Sequence, residues 1–114
     1  MATEKMNIIW NIEQAQKLCS NLERLLQPVG AHVALGGSVL YNGSSEKDVD
    51  IFIYPHASTN ITPLSPVLRK LTELGFTNST EKPSVVSGGK VIRVMTGIDG
   101  RRVDFFFFDF NVST

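Results

Sequence analysis

The stretch ALGGSVLYNGSSEKDVDIFIY, residues 34–54, decides the fold of this chain. It opens with an apolar run that ends in a Gly-Gly-Ser turn at 36–38, and it closes with a strand-like segment at 48–54. Successive side chains of a strand point to opposite faces, so Asp48 and Asp50 should share one face while the apolar residues share the other. The stretch therefore predicts two neighbouring carboxylates close to a glycine turn.

The carboxylates are the first candidate functional residues. Two aspartates held this close repel each other, and each favours protonation of the other unless a cation compensates. Mg²⁺ is the simplest compensating cation, because it prefers carboxylate oxygens and keeps positions for water and substrate phosphates. Asp104 interrupts the apolar segment 101–110, where an isolated charge would be costly without a partner. If that segment pairs beside the strand of Asp48 and Asp50, the three carboxylates form one cluster.

The glycine turn is the second candidate feature. Gly36 and Gly37 permit a tight turn, and without a Cβ they allow the backbone to approach a ligand closely. A short helical turn beginning at Ser38 would direct free N–H groups toward an anion such as a phosphate. We therefore expect Gly36, Gly37 and Ser38 to bind an anion such as a phosphate.

The rest of the chain reads as alternating helices and strands. Apolar residues at helical spacing predict a helix over about 12–27, capped by Asn11 and ended by Pro28 and Gly30. A second helix is expected after an N-cap at Ser65. The predicted strands are 32–35, 48–54, 76–80, 90–96 and 101–110, and residues 81–89 are predicted as loop. We expect one α+β domain over 1–114, with helices packed against a mixed β-sheet.

Composition excludes several classes of function. The eleven basic and eleven acidic residues balance, which gives no indication of a broad nucleic-acid or membrane-binding surface. Cys19 is the only cysteine, so no intrachain disulfide is expected. We find no secretory signal and no membrane-spanning run, and we expect a cytoplasmic location without membrane attachment. His32 and His56 are not spaced as a metal pair and read as strand-end or loop residues.

A family resemblance follows from these motifs. The pattern Leu35–Ser38, a spacer of nine residues and Asp48–Ile51, with Asp104 on a later strand, resembles the nucleotidyltransferase superfamily that includes DNA polymerase beta. The likeness is to its minimal members in particular. It implies a nucleotidyltransferase-like fold and an enzyme that transfers a nucleoside monophosphate from an NTP, such as ATP, to a hydroxyl acceptor. That acceptor would be a protein, a nucleic acid or a small molecule.

The resemblance also implies roles for particular residues. Asp48 and Asp50 would bind both ions of a two-metal Mg²⁺ site together with the triphosphate. Asp104 would bind the catalytic ion and help to activate the acceptor hydroxyl. Gly37 and Ser38 would hold the phosphates.

Two departures from the family pattern shape the remaining expectations. Many minimal members have an arginine shortly after the Gly-Ser pair, where this chain has Val39–Tyr41, so we expect Lys47 or Arg93 to contact phosphate instead. The helical domain that usually grips base and acceptor does not follow Asp104, so we hypothesise that a homodimer or a hetero-partner supplies that surface. The alternative is a catalytically inactive nucleotidyltransferase-like binding module that acts through a protein partner.

Overall fold

The computed structural model of the chain describes residues 10–56, 62–78, 85–87, 90–97 and 99–111. The α-helices in these residues are α1 (Ile12–Leu26), α2 (Gly37–Asn42) and α3 (Ser65–Glu73). The strands are β1 (Trp10–Asn11), β2 (Ala31–Gly36), β3 (Ser44–Ser45), β4 (Asp48–Pro55), β5 (Thr77–Asn78), β6 (Val85–Ser87), β7 (Lys90–Thr96) and β8 (Arg102–Phe108). The predicted α+β class is confirmed.

Helix α1 begins and ends as the sequence predicts. The Asn11 side chain accepts a hydrogen bond from the Gln14 N–H at 2.8 Å, and the Asn11 N–H donates to Gln14 Oε1 at 3.2 Å. This reciprocal pair satisfies two N–H groups that the first helical turn leaves without partners. The helix passes into a 3-10 turn, Gln27–Val29, which Gly30 closes with a φ of +81°. The chain then reverses directly into β2.

A mixed sheet organises the rest of the described chain. Its strand order is β2-β4-β8-β7-β5, and β6 also pairs with β7. Strands β4 and β8 are parallel, whereas the other pairs in this sheet are antiparallel. Because parallel strands begin at the same edge of a sheet, the entrances of β4 and β8 lie side by side. That edge is where the aspartates lie.

The two faces of the sheet differ in burial. One face of β4 and β8 packs beneath α1 and α3, and its side chains are fully buried. These residues are Val49, Ile51, Ile53, Val103, Phe105 and Phe107. Burial of each such side chain contributes roughly 1.5–3 kcal/mol, so this layer supplies much of the stability of the fold. The opposite face carries Asp50, Phe52, Asp104 and Phe106, which alternate with the core residues.

Three local predictions need correction or comment. Helix α3 has Leu64 as its N-cap, without a side-chain cap, so the prediction of Ser65 as the cap is wrong by one position. The predicted loop 81–89 contains a strand, Val85–Ser87, which forms a hairpin with β7. Of the predicted strand 76–80, residues 79 and 80 lie outside the described residues. No helix in the described part of the chain is long and apolar enough to cross a bilayer.

Candidate active site

The structure brings the three predicted aspartates together. In the parallel pairing of β4 and β8, Asp50 lies directly opposite Asp104, and Asp48 lies two residues earlier on the same face. Each offers a carboxylate oxygen, and these oxygens all lie within 4.8 Å of one another. Asp104 is buried, with 9% of its surface exposed, and the other two are half-buried. The expected convergence is confirmed, and we call these residues the acidic cluster.

Arg102 contacts the acidic cluster, although the sequence pattern did not indicate this contact. Its Nε donates to Asp104 Oδ1 at 2.9 Å, and its Nη2 donates to Asp104 Oδ2 at 3.1 Å. The same Nη2 lies 3.4 Å from Asp48 Oδ2. A two-pronged guanidinium–carboxylate pair fixes orientation as well as charge. Arg102 therefore holds Asp104 in place and offsets part of the negative charge of the cluster.

The electrostatics of the cluster follow from burial and from like charges. Burial, reinforced by the charges of Asp104 and Asp50, raises the pKa of Asp48 to about 6, and Arg102 opposes this rise. Burial and the charge of Asp104 also raise the pKa of Asp50. The hydrogen bonds to Asp104 raise the pKa of Arg102 above its ordinary value. Three carboxylates against one guanidinium leave an excess of negative potential at this edge of the sheet.

This donor set fits a hard divalent cation. The three oxygen ligands come from neighbouring positions on two paired strands, and burial together with the neighbouring negative charges raises the pKa values of Asp48 and Asp50. Mg²⁺ favours such carboxylate oxygens. Asp48, Asp50 and Asp104 are thus the residues in the described chain that could hold it.

The glycine turn packs directly against the acidic cluster. Gly37 has a φ of +69°, and a Cβ at this position would overlap the Asp50 carboxylate. The register also pairs Gly36 with Asp50 across β2 and β4. Ser38, in the first turn of α2, is exposed. Gly37 is therefore required both for its backbone conformation and for the space that Asp50 occupies.

The two basic residues proposed to contact phosphate occupy different positions. Lys47 is exposed immediately before Asp48, and its contact with phosphate stays a prediction. Arg93 pairs with Phe105 across β7 and β8, which places it on the core face of the sheet, whereas Asp104 pairs with Val94. Its Nη1 donates to Asn78 at 3.3 Å. The prediction that Arg93 serves the phosphates is wrong, because it lies on the face opposite the aspartates.

An aromatic cluster continues the open face beside the aspartates. The Phe52 ring meets the Phe106 ring edge-to-face with centroids 5.4 Å apart, and it meets the Phe108 ring in the same way at 5.6 Å. All three are half-buried. A Cβ at Gly36 would lie 2.6 Å from the Phe52 ring, so the ring covers that glycine. The aspartates therefore have an apolar surface next to them on the same face.

Comparison with known proteins supports the fold. No protein-family model matches the chain, and no curated protein matches it. Among solved structures the chain is similar to one described as a cytoplasmic RNA terminal U-transferase, with a TM-score of 0.61 and 14% sequence identity. The match covers 84% of this chain and 28% of that one, so this chain spans about a quarter of the matched protein's length. The chain has a nucleotidyltransferase-like fold.

Proposed function

We propose that the chain is a Mg²⁺-dependent nucleotidyltransferase that moves a nucleoside monophosphate from an NTP to a hydroxyl acceptor. The observation that carries this proposal is the acidic cluster. Asp50 lies opposite Asp104, and Asp48 shares their face. Gly37 lacks a Cβ and so leaves room for the Asp50 carboxylate. Burial and neighbouring charges raise the pKa values of Asp48 and Asp50, and such perturbed carboxylates are more typical of functional sites than of structural ones.

Each member of the site has a proposed role. Asp48, Asp50 and Asp104 would hold the metal, and bound Mg²⁺ would lower the pKa of the attacking hydroxyl and neutralise charge on the triphosphate. Asp104, buried and oriented by Arg102, is the carboxylate proposed to accept the proton of the acceptor hydroxyl. The other two carboxylates are more exposed and would face the triphosphate.

The glycine turn is proposed to receive the phosphates. Because Gly37 lacks a Cβ, the backbone at this turn can approach the triphosphate closely. Ser38 is exposed and would add a hydroxyl donor, and Lys47 would add a positive charge from the loop before β4. This arrangement places phosphate donors on one side of the acidic cluster.

The test is a transfer assay with labelled nucleotides. The RNA terminal U-transferase of similar fold makes UTP and an RNA with a free 3′ hydroxyl the first donor and acceptor to try. The other three NTPs, protein acceptors and hydroxyl-bearing small molecules follow. We expect Mg²⁺-dependent label transfer, and we expect Asp50→Asn to lower its rate at least about 100-fold because a metal ligand is lost.

The matched control is Asp109→Asn. Asp109 is exposed and follows β8, about 16 Å along the strand from Asp104, so the same chemical change there should leave transfer unaltered. An RNA blocked at its 3′ end should fail as an acceptor if the 3′ hydroxyl is attacked. Transfer that persists in Asp50→Asn, or no nucleotide or metal binding by the wild type, would contradict the proposal.

A second candidate is a binding module that acts through a protein partner, either a second copy or another chain. The aromatic cluster on the open face supports it, because three half-buried phenylalanines form an apolar surface beside the acidic cluster. If a second copy covers this surface, light scattering of the purified chain should give the mass of a dimer. The Phe108→Ser variant should then give the mass of a monomer. Binding of a partner that survives replacement of all three aspartates would favour this function over transfer.

A further inference from the structure

A second cluster of metal-binding side chains lies at the other end of the β2–β4 pair. His32, in β2, lies opposite Tyr54 in β4, and His56 follows the end of β4. The backbone N–H of His56 donates to the Gly30 carbonyl at 2.9 Å, which returns the chain toward the start of β2. Both histidines lie near strand ends, as expected from the sequence, but the sequence pattern did not indicate that they meet. They meet because the strand pairing brings residues 24 positions apart into contact.

The contact between the two imidazoles requires one nitrogen to donate and the other to accept. His32 Nε2 and His56 Nδ1 are 2.5 Å apart, and the rings are close to perpendicular at 89°. Two lone pairs cannot face each other at this distance, and two N–H groups cannot either. One nitrogen therefore carries the hydrogen and the other presents its lone pair, and a metal ion replaces that hydrogen only where the two nitrogens move apart.

Glu23 determines which nitrogen of His32 is available. Its Oε2 lies 2.7 Å from His32 Nδ1, so Nδ1 carries the proton and Nε2 presents its lone pair toward His56. The other oxygen, Oε1, accepts the backbone N–H of Val33 at 2.8 Å, and the carboxylate is thereby held from both sides. A carboxylate on the remote nitrogen of a histidine is the usual means of orienting a metal-binding imidazole.

We propose that His32 Nε2 and His56 Nδ1 form a binding site for a divalent transition metal such as Zn²⁺ or Ni²⁺, with Glu23 orienting His32. Metal–nitrogen bonds of about 2.0–2.1 Å with tetrahedral angles place two ligand nitrogens about 3.4 Å apart. The pair must therefore open by about 0.9 Å from its separation of 2.5 Å. His56 is exposed and lies after the end of β4, so rotation of its side chain provides this opening.

This site goes beyond nucleotidyl transfer and is separate from the acidic cluster. Asp48 and Tyr54 lie six positions apart in β4, which is about 20 Å along an extended strand. The ligands also differ in kind, because imidazole nitrogens select borderline transition metals and carboxylates select Mg²⁺. The exposed side of the histidine pair leaves coordination positions for water or for a side chain of another molecule.

The test uses the fact that the chain contains two histidines. Untagged protein labelled with ¹⁵N-histidine would be titrated with Zn²⁺ while excess Mg²⁺ occupies the acidic cluster. We expect selective shifts of His32 Nε2 and His56 Nδ1, one Zn²⁺ bound per chain in calorimetry, and a raised thermal midpoint. Glu23→Gln should weaken Zn²⁺ binding by about 10-fold or more because His32 loses its orienting carboxylate.

Variants separate this site from other metal sites. His32→Gln and His56→Gln should each lower the affinity for Zn²⁺ by at least about 10-fold, whereas Asp50→Asn should leave it unchanged. Gln retains a polar side chain, and circular dichroism would verify that each variant is folded. Absence of Zn²⁺-dependent nitrogen shifts in the wild type would overturn the proposal, as would wild-type affinity in His56→Gln; the imidazoles would then share a proton alone.

Discussion

The two ends of the β2–β4 pair carry opposite kinds of ligand and are held in different ways. At one end, Asp48, Asp50 and Asp104 lie close together on paired strands, and burial together with like charges raises the pKa values of Asp48 and Asp50. At the other end, His32 and His56 are partly exposed, and the Glu23 carboxylate accepts hydrogen bonds from His32 and from a backbone N–H. The acidic end therefore carries an excess of negative charge. At the histidine end, both oxygens of the Glu23 carboxylate have a hydrogen-bond partner.

This difference between the two ends determines where a bound metal ion would stabilise the folded protein. Burial and like charges make the acidic end costly to fold, so a divalent cation that neutralises it should stabilise the protein. The histidine end already has a local network, so substitutions there should cost less.

The largest effect is expected from Gly37→Ala. The new Cβ would overlap the Asp50 carboxylate, and alanine would have to adopt a φ of +69°. We expect a loss of about 2–4 kcal/mol in the free energy of unfolding, because steric displacement adds to backbone strain. Urea denaturation measures this loss, and Mg²⁺ binding should weaken in parallel because Asp50 is displaced.

The matched control is Gly43→Ala. Gly43 has a similar φ of +81°, but among the described residues beyond its neighbours in the chain no atom lies within 4 Å of a Cβ built there. Only the conformational cost of about 1 kcal/mol should remain. Equal losses in the two variants would mean that contact with Asp50 contributes nothing at Gly37.

The acidic end was largely predictable from sequence because its pattern is local. Asp48 and Asp50 share a face by strand alternation, and the glycine turn before them marks the end of β2. Their meeting with Asp104 depended on one further step, the pairing of β4 with β8. The motif supported that step, and the register confirms it.

The features that sequence reasoning missed all depend on which strands pair and on which face of a strand a side chain occupies. Apolar residues occupy both faces of β7, so its sequence does not reveal which face Arg93 takes. His32 and His56 are far apart in sequence and meet only through the antiparallel register of β2 and β4. Arg102 is one of two consecutive arginines after a turn, a pattern typical of solvated side chains, and only the fold places its guanidinium against Asp104.

An intermediate effect is expected from Arg102→Gln. Without divalent metal, the variant loses the guanidinium that bonds Asp104 and approaches Asp48. We expect the free energy of unfolding to fall by about 1–2 kcal/mol. This loss is smaller than for a fully buried ion pair because Arg102 is partly exposed. Excess Mg²⁺ should reduce this difference by supplying positive charge to the same carboxylates. Denaturation with and without Mg²⁺ measures it.

Arg101→Gln provides the matched control for that metal dependence. Arg101 bonds to Asp99 at 2.7 Å and lies over the Trp10 ring, 3.8 Å from its centroid, so its contacts include no member of the acidic cluster among those described. Its loss of stability should be the same with and without Mg²⁺. If Mg²⁺ leaves the Arg102→Gln difference unchanged, the guanidinium and the metal do not share a site.

The smallest effect is expected at the histidine end, from Glu23→Gln. Although burial raises the pKa of Glu23, the hydrogen bonds from His32 and Val33 lower it by more, so the net pKa is below the ordinary value. The stabilisation is therefore present above pH 4.5 and is lost as the pH falls through the lowered pKa. Metal-free Glu23→Gln should lose about 0.5–1 kcal/mol of unfolding free energy near neutral pH, because a partly exposed pair contributes little.

The pH dependence of that small difference is the sharper measurement. The gap between wild type and Glu23→Gln should close as the pH is lowered below 4.5, because protonated Glu23 no longer carries the charge that the variant lacks. Glu73→Gln is the control, since Glu73 is 60% exposed and lies 3.8 Å from Lys70. A gap at Glu23 that persists unchanged in acid would show that the carboxylate acts there through its shape and hydrogen bonds rather than through its charge.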